Sequence, residues 1–330
     1  MMKRKALILG VGGQDGSYLA RLLLEKGYEV HGTSRDAQIA SFSGLRHFGI
    51  IDRVRLHSMS LTDYGSIIQT LKHVDPDEIY NLSAQSSVGA SFDQAIDTLN
   101  SITNATLNLL EVLRFVGGRA RFYNASSSEM FGDTTNYPAE ETTFFRPRSP
   151  YGVAKAAAHW MVENYRVGYG LYACSGILFN HESPLRPERF VTQKIVRTAV
   201  DIRDGVNRRL RLGNLAIVRD WGWAPEYVEA MWSMLQQQHA EDYVIATGSP
   251  ATLEDFTRTA FSLVGLDWRD HVDHDPTLLR PFDVDCTVGN PSKAYKDFGW
   301  KSRLTMNDVV ARLIEAELER RANSRKATVE

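Results

Sequence analysis

A glycine-rich segment at residues 10–16 is the feature that most restricts the fold of this chain. It follows a short apolar stretch, Lys5–Leu9, which predicts a buried strand, and it precedes a predicted helix from Ser17 to Lys26. Strand, glycine-rich turn and helix form a dinucleotide-binding unit, because the bare turn approaches a pyrophosphate at the positive end of the helix. The glycine spacing, G-x-x-G-x-x-G, therefore predicts a nucleotide-binding α/β fold.

The end of the second predicted strand indicates which dinucleotide is bound. This strand, Glu29–Thr33, leads into Ser34 and Arg35. An acidic residue at this place would bind the ribose 2′-hydroxyl of NAD, whereas an arginine pairs with the 2′-phosphate of NADP. Arg35 therefore favours NADP. Asp36 opposes a phosphate by its charge, and a solvated loop charge is the alternative interpretation of Arg35.

Strands and helices alternate along the first 180 residues. This alternation predicts a Rossmann-type, doubly wound parallel sheet with helices on both faces. Ligands of such sheets bind beyond the carboxyl ends of the strands. The further predicted strands are Arg53–His57, Glu78–Leu82, Ala120–Asn124 and Leu171–Leu178, and the further predicted helices are Asp63–His73, with Thr62 as its N-cap, and Ala95–Phe115.

Beyond residue 180, polar and proline-rich loops separate short helices. This change predicts a smaller, mixed C-terminal domain that covers the substrate. We expect residues 1–180 to form the cofactor-binding domain and residues 181–330 to form mainly the substrate domain, with some segments returning to the first. The predicted helices of this part are Phe190–Ile202, Ala224–Gln238, Leu253–Val264 and Thr305–Glu319.

Charge and composition argue against several classes of function. The net charge of −2 gives no indication of a nucleic-acid partner. No apolar run approaches the ~18 residues of a membrane-spanning helix. The two cysteines, Cys174 and Cys286, are far apart in sequence. They predict neither a disulfide framework nor a metal site, and they suit a cytoplasmic protein.

Tyr151 and Lys155 form the most informative pair of chemical groups. A step of four residues places both side chains on one face of a helix, and a nearby ammonium favours the ionised form of a phenol. A tyrosine in this position can act as a base near neutral pH. A chance Tyr-x-x-x-Lys on an ordinary helix is the alternative, but Ser127 and Glu129 follow a predicted strand just upstream.

Longer motifs point to a particular family. They include SSEMFG at 127–132, PRSPYGVAK at 147–155, NHESP at 180–184 and RDWG at 219–222, and matching stretches cover nearly the whole chain. With these motifs the chain resembles the GDP-mannose 4,6-dehydratase family, a group of the extended short-chain dehydrogenases/reductases. The NHESP and RDWG segments are much more specific than Tyr-x-x-x-Lys.

The resemblance implies dehydration of GDP-mannose to GDP-4-dehydro-6-deoxy-mannose. C4 is oxidised transiently, water leaves across C5–C6, and the hydride stored on NADP returns to C6. Tyr151 would take the C4 hydroxyl proton while Lys155 lowers its pKa and holds the nicotinamide ribose. Ser127 would bind the C4 oxygen. Glu129 would remove the C5 proton, unless it is merely a glutamate at a helix start.

The resemblance also implies two sets of binding residues and a homodimer, with a homotetramer as the other possibility. The cofactor-binding set, besides Tyr151 and Lys155, is Gly10, Gly13, Gln14, Asp15, Gly16, Arg35, Ser60, Leu61, Leu82, Ala84, Gln85, Ser86, His181 and Arg186. The substrate-binding set is Ser86, Glu129, Asn180, Val191, Lys194, Gly213, Asn214, Arg219, Arg280 and Asp283. The alternative interpretation of Arg219 and Arg280 is that they form salt bridges at the surface.

Several positions depart from the family pattern. Ser127 stands where the family has threonine, and Asp36 replaces a second arginine. Asp97, Phe282 and Asp283 also differ. These changes leave strict NADP use, tetramer formation and the nucleotide-sugar specificity open.

Two other functions remain as alternatives at this stage. A GDP-sugar 4-reductase or epimerase would share the fold, but a reductase has no need of Glu129. A non-catalytic NADP-binding sensor would not need Ser127, Glu129, Tyr151 and Lys155 together.

Overall fold

The centre of the protein is a parallel sheet of seven strands. The structure is a computed structural model that describes residues 3–117, 119–279 and 281–329. The strand order is β10–β6–β5–β4–β1–β2–β3, and all neighbours run parallel. This arrangement confirms the predicted Rossmann-type sheet. The strands are β1 (Lys5–Leu9), β2 (Glu29–Ser34), β3 (Val54–Ser58), β4 (Glu78–Asn81), β5 (Arg121–Ser127), β6 (Ala173–Leu178) and, from the second half of the chain, β10 (Tyr243–Ile245).

Helices cover both faces of this sheet because alternate residues of a strand point to opposite sides. Ala6 and Ile8 of β1 lie in a core shared with α1 and α9, whereas Leu7 and Leu9 lie in a second core with α3, α6 and α7. The helices of this part are α1 (Gln14–Glu25), α2 (Ser43–His47), α3 (Tyr64–Val74), α4 (Val88–Asp93), α5 (Ala95–Leu99), α6 (Ala105–Val116), α7 (Pro150–Tyr169) and α9 (Ala224–Met234).

The second half of the chain builds smaller sheets and a third core. In it, Trp221, Phe256 and Val310 are buried together. Strands β11, β9 and β13 form one sheet, which β7 joins through β9, and β12 pairs with β8. The remaining elements are β7 (Asn180–Glu182), α8 (Val191–Arg203), β8 (Leu210–Leu212), β9 (Val218–Trp223), β11 (Pro250–Thr252), α10 (Leu253–Ser262), β12 (Val272–His274), β13 (Cys286–Thr287), α11 (Ser292–Phe298) and α12 (Met306–Val329).

Three details differ from the sequence prediction. Asp63, not Thr62, caps α3, and its carboxylate accepts the N–H groups of Gly65 and Ser66 at 2.8 and 3.3 Å. The long helix predicted from Ala95 contains a π-helical turn at Asn100–Asn104 between α5 and α6. The helices α2, α4 and α11 and the strands β7 to β13 have no counterpart in the sequence prediction.

Two further properties concern the described residues only. None of their helices combines the length and the apolar character needed to cross a membrane. No group of three or more His, Cys, Asp or Glu side chains among them is arranged to hold a metal ion.

Candidate active site

A cavity of about 450 Å³ lies at the carboxyl ends of the main-sheet strands. Its walls come from the ends of β4 and β5, the first turns of α7 and α8, and strands β7 and β9. Segments that are far apart in the sequence therefore meet at one place. All four proposed catalytic residues line it: Ser127, Glu129, Tyr151 and Lys155.

The start of α7 positions Tyr151. The Ser149 hydroxyl caps the helix by accepting the N–H of Gly152 at 3.0 Å, and Pro150 occupies the first turn. A Cβ atom at Gly152 would lie 2.6 Å from the carbonyl oxygen of Glu129. The bare glycine thus lets the first turn of α7 approach the backbone that carries Glu129.

The phenol of Tyr151 lies in a desolvated environment and is only 9% exposed. Burial raises its pKa to about 12, and the negative charge of Glu129 acts in the same direction. The nearby Ser127 hydroxyl, which can donate to the phenolate, is the largest influence that lowers this pKa. Ser127, more than the expected Lys155, therefore makes ionisation of the phenol easier.

Lys155 lies one turn after Tyr151. Its ammonium donates to the carbonyl oxygen of Ala125 at 2.6 Å and lies 5.8 Å from the centre of the Tyr151 ring. Burial lowers the pKa of Lys155 to about 8, and the carboxylate of Asp15 opposes this shift. At pH 7 the side chain is mainly charged.

Glu129 follows β5 directly, in the short 3₁₀ helix Ser128–Met130. Its backbone N–H donates to the Ser127 hydroxyl at 3.3 Å. Glu129 is partly buried and lines the same cavity as Tyr151. A hydroxyl, a carboxylate and a phenol are therefore held together beside a buried ammonium.

A buried ion pair connects the glycine-rich turn with β7. His181 donates through Nδ1 to the carbonyl oxygen of Phe179 at 2.7 Å, and its Nε2 lies 2.9 Å from Oδ2 of Asp15. Its ring stacks on Tyr227 at 4.5 Å. Burial disfavours the charged imidazolium, but Asp15 more than offsets this and raises the pKa of His181. The pKa of Asp15 is lowered by His181 despite the opposing effect of burial.

The glycine-rich turn fits a pyrophosphate. Gly10 has φ +81°, and a Cβ atom there would lie 2.9 Å from Cα of Ser83. A Cβ atom at Gly16 would lie 2.4 Å from the carbonyl oxygen of Gly10. Gly13 and Gln14 begin α1, and Gln14 accepts the Ser183 hydroxyl at 2.9 Å. Bare backbone at a helix start is the arrangement that a dinucleotide requires.

The residues expected near the adenosine lie outside the cavity, at the ends of β2 and β3. Arg35 is exposed, while Asp36 accepts the N–H of Gln38 at 2.8 Å within its own loop. Ser60 lies 3.0 Å from the hydroxyl of Thr62. The carbonyl oxygen of Leu61 accepts from Asn108 at 2.8 Å. The segment after β4 lines the cavity with Leu82, Ala84, Gln85 and Ser86.

Most of the expected substrate-binding residues line the same cavity. Lys194 donates to the carbonyl oxygen of Arg211 at 2.6 Å, and Arg219 lies 3.4 Å from the carboxylate of Asp283. Arg186, expected near the cofactor, lies 3.5 Å from Glu182. The other members that line this cavity are Asn180, Val191, Gly213 and Asn214. Arg280 lies outside the described residues.

Sequence reasoning missed Arg189. It is exposed, lines the cavity and lies 5.0 Å from the ring centre of Phe190, which the guanidinium of Arg186 approaches to 3.8 Å. It precedes the start of α8, where no side chain caps the helix. The sequence pattern that could have indicated Arg189 is its position three residues after Arg186.

The sheet and the site together define a Rossmann-type protein of the short-chain dehydrogenase/reductase kind. A family model described as GDP-mannose 4,6 dehydratase matches residues 7–313. The chain belongs to this family. It is 46% identical over 327 residues to GDP-mannose 4,6 dehydratase 1 of Arabidopsis thaliana, covering 96% of this chain and 90% of the relative.

A second relative agrees with this assignment, and a solved structure has the same fold. GDP-mannose 4,6 dehydratase of Cricetulus griseus is 42% identical over 342 residues, covering 96% of this chain and 92% of the relative. The crystal structure of DesIV, a dTDP-glucose 4,6-dehydratase from Streptomyces venezuelae with NAD and TYD bound, has a TM-score of 0.84 and 22% identity. The match covers 96% of this chain and 98% of that one, and it confirms the fold.

Proposed function

We propose that this protein dehydrates GDP-mannose to GDP-4-dehydro-6-deoxy-mannose. Membership of the GDP-mannose 4,6-dehydratase family supports the substrate and the reaction. The observation that carries the proposal is that Glu129 and Tyr151 line the same cavity, close enough for the Glu129 charge to raise the pKa of the phenol. A simple reductase has no use for this carboxylate, whereas a dehydratase needs a base for the proton on C5.

The side chains divide the chemistry between adjacent carbons of the sugar. A bound nicotinamide dinucleotide supplies the oxidising power at C4 and is restored in the same turnover. Tyr151 Oη takes the proton of the C4 hydroxyl, assisted by Ser127 and by the charge of Lys155. Once C4 carries a carbonyl, the C5 proton is acidic, and Glu129 removes it and passes it to the C6 hydroxyl, which leaves as water. When the stored hydride is returned to C6, Glu129 delivers a proton from solvent to C5.

We propose NADP as the dinucleotide. Arg35 is exposed at the end of β2, where a 2′-phosphate would lie, and a guanidinium binds phosphate oxygens in pairs. The carboxylate of Asp36 accepts the backbone N–H of Gln38 in its own loop. This contact supports NADP because it directs the negative charge to a backbone donor. The remaining cofactor-binding residues keep the roles expected from the sequence.

We propose that the sugar nucleotide lies across the cavity towards α8 and β9, where Val191, Lys194 and Arg219 lie. Residues 1–180 then serve mainly the cofactor and residues 181–330 mainly the substrate. For the assembly we propose a cytoplasmic homodimer formed through α5 and α7. Ile96 on α5 and Trp160 on α7 are 76% and 55% exposed, so these helices offer apolar surface to a second subunit. Both cysteines are free thiols, which suits the reducing cytoplasm.

The test is turnover by the purified protein. Incubation with GDP-mannose and a catalytic amount of NADP+ is expected to give a 4-keto sugar nucleotide that absorbs in alkali, with no net reduction of the cofactor. Tyr151→Phe, which keeps the ring and removes the hydroxyl, is the matched inactive control. Failure to convert GDP-mannose, together with stoichiometric oxidation of added NADPH when a 4-keto sugar nucleotide is supplied, would instead identify a reductase.

A further inference from the structure

Asp220 is a buried carboxylate that the proposed chemistry does not use. It lies on β9 directly after Arg219 and is 0% exposed. It does not line the cavity, whereas Arg219 and Trp221 do. Among the described residues no basic side chain forms an ion pair with it. A carboxylate buried without a cation is unfavourable unless hydrogen bonds compensate for the lost water.

Backbone N–H groups supply that compensation. Oδ1 of Asp220 accepts the N–H of Thr247 and Oδ2 accepts the N–H of Gly248, both at 2.8 Å. The Thr247 hydroxyl and the N–H of Gly289 also favour the charged carboxylate, since both lower its pKa. Both oxygens are therefore occupied by donors, as in strong charge-assisted hydrogen bonds.

Two of these donors lie at the edge of the main sheet. Thr247 and Gly248 follow β10, which pairs with β6. Gly289 packs so closely that a Cβ atom there would lie 2.7 Å from the ring of Phe179. Asp220 consequently joins β9, which belongs to a different sheet, to the carboxyl end of the sheet that carries the catalytic residues.

Strand β9 depends on this connection more than its neighbour β7 does. β7 follows β6 along the chain after Phe179, and His181 on β7 is also held by Asp15. β9 carries Arg219, whose guanidinium is buried with Asp283. Loss of the Asp220 contacts should therefore displace Arg219 and leave the cofactor side in place.

We propose that Asp220 is a positioning residue for the nucleotide sugar: it fixes β9 against the end of β10 and so places Arg219 in the cavity. The inference rests on the proposed function. Burial raises the pKa of Asp220 from 3.8 to about 6. Because the folded-state pKa is the higher one, the free energy of unfolding falls as the pH rises through this interval.

Asp220→Asn tests the proposal because it keeps the volume and replaces one acceptor oxygen with a donor. We expect the dissociation constant of GDP and the KM for GDP-mannose to rise about ten-fold, the usual effect of losing one charge-assisted hydrogen bond. The dissociation constant of NADP, measured by calorimetric titration, should change less than two-fold, and kcat should change less than the KM.

Asp255→Asn is the matched structural control. Asp255 belongs to the capping box at the start of α10 and does not line the cavity, so its loss should lower the Tm without changing the KM. Equal losses of NADP and GDP affinity in Asp220→Asn, or a loss of activity that merely follows the Tm as in the control, would overturn the proposal. An unchanged GDP affinity would also overturn it.

Thr247→Ala provides a second measurement if Asp220→Asn does not fold. It keeps the backbone N–H that Asp220 accepts and removes the hydroxyl, which lowers the pKa of Asp220 and also bonds Ser249. We expect GDP to bind about two- to three-fold more weakly, as for one weak hydrogen bond. Unchanged GDP binding would refute the positioning role. If the wild-type protein binds GDP but does not convert GDP-mannose, the proposed function fails, while the binding comparison still decides the role of Asp220.

Discussion

Replacement of Ser127 by alanine gives the most direct test of how this site activates its tyrosine. The Ser127 hydroxyl, which can donate to the phenolate, is the largest influence that lowers the pKa of Tyr151, against a burial that raises it to about 12. A hydrogen bond to a charged group contributes about 1.5–3 kcal/mol, which corresponds to about one to two pKa units. If phenolate formation limits the rate, kcat should fall about 10- to 100-fold.

The assay is the initial rate of 4-keto product formation at saturating GDP-mannose and NADP+. Ser127→Thr is the control, because it keeps a hydroxyl at the position where the family carries threonine. We expect this variant to stay close to the wild-type rate. Ser127 is 8% exposed, so thermal unfolding of both variants should be measured to exclude loss of folded protein. A Ser127→Ala enzyme within two-fold of wild type, or a Ser127→Thr enzyme equally impaired, would refute this account of Tyr151.

Three further variants test separate parts of the site. Glu129→Gln should lower kcat about 10²- to 10⁴-fold, the range for loss of a general base. It should also abolish the uptake of solvent deuterium at C5, measured by mass spectrometry. Intact turnover would contradict the assignment of Glu129 as the C5 base. Arg35→Ala should weaken NADP binding at least ten-fold and leave NAD binding nearly unchanged in parallel titrations, because only NADP carries the 2′-phosphate; equal losses would contradict the NADP proposal. Arg189→Gln should raise the KM for GDP-mannose about five-fold and leave kcat unchanged. The control is Arg203→Gln at the far end of α8, where Arg203 pairs with Asp204, and it should leave both constants unchanged. An unaltered KM in Arg189→Gln would exclude Arg189 from substrate binding.

The sequence predicted the main sheet well because its signals are local. Apolar stretches such as Lys5–Leu9 and Glu78–Leu82 are buried from both faces, so their composition alone indicates parallel strands. Capping was harder to predict. Thr62 and Asp63 are both good caps, and only the backbone geometry shows that the carboxylate of Asp63 reaches two N–H groups. The π-helical turn before α6 has no comparable signal in the sequence.

The candidate site also contains residues that the sequence predicts and contacts that it does not. Tyr151 and Lys155 are related by helical spacing, and Glu129 lies in a family motif, so the sequence was sufficient to select them. The pair between Asp15 and His181 joins residues from distant parts of the chain, and nothing in their local patterns indicates the contact. The hydrogen-bond role of Ser127 also depends on burial, which no spacing rule provides.

The seventh strand of the main sheet has a consequence for how the protein is made. β10 and α9 come from the second half of the chain, yet Ile245 and Met231 share a core with Ile8 of β1. During synthesis, a nascent chain that ends near residue 180 must therefore expose an apolar surface that only later residues can cover. We expect the ribosome-bound first half to depend on chaperones, and the finished protein to fold cooperatively once the edge strand has emerged.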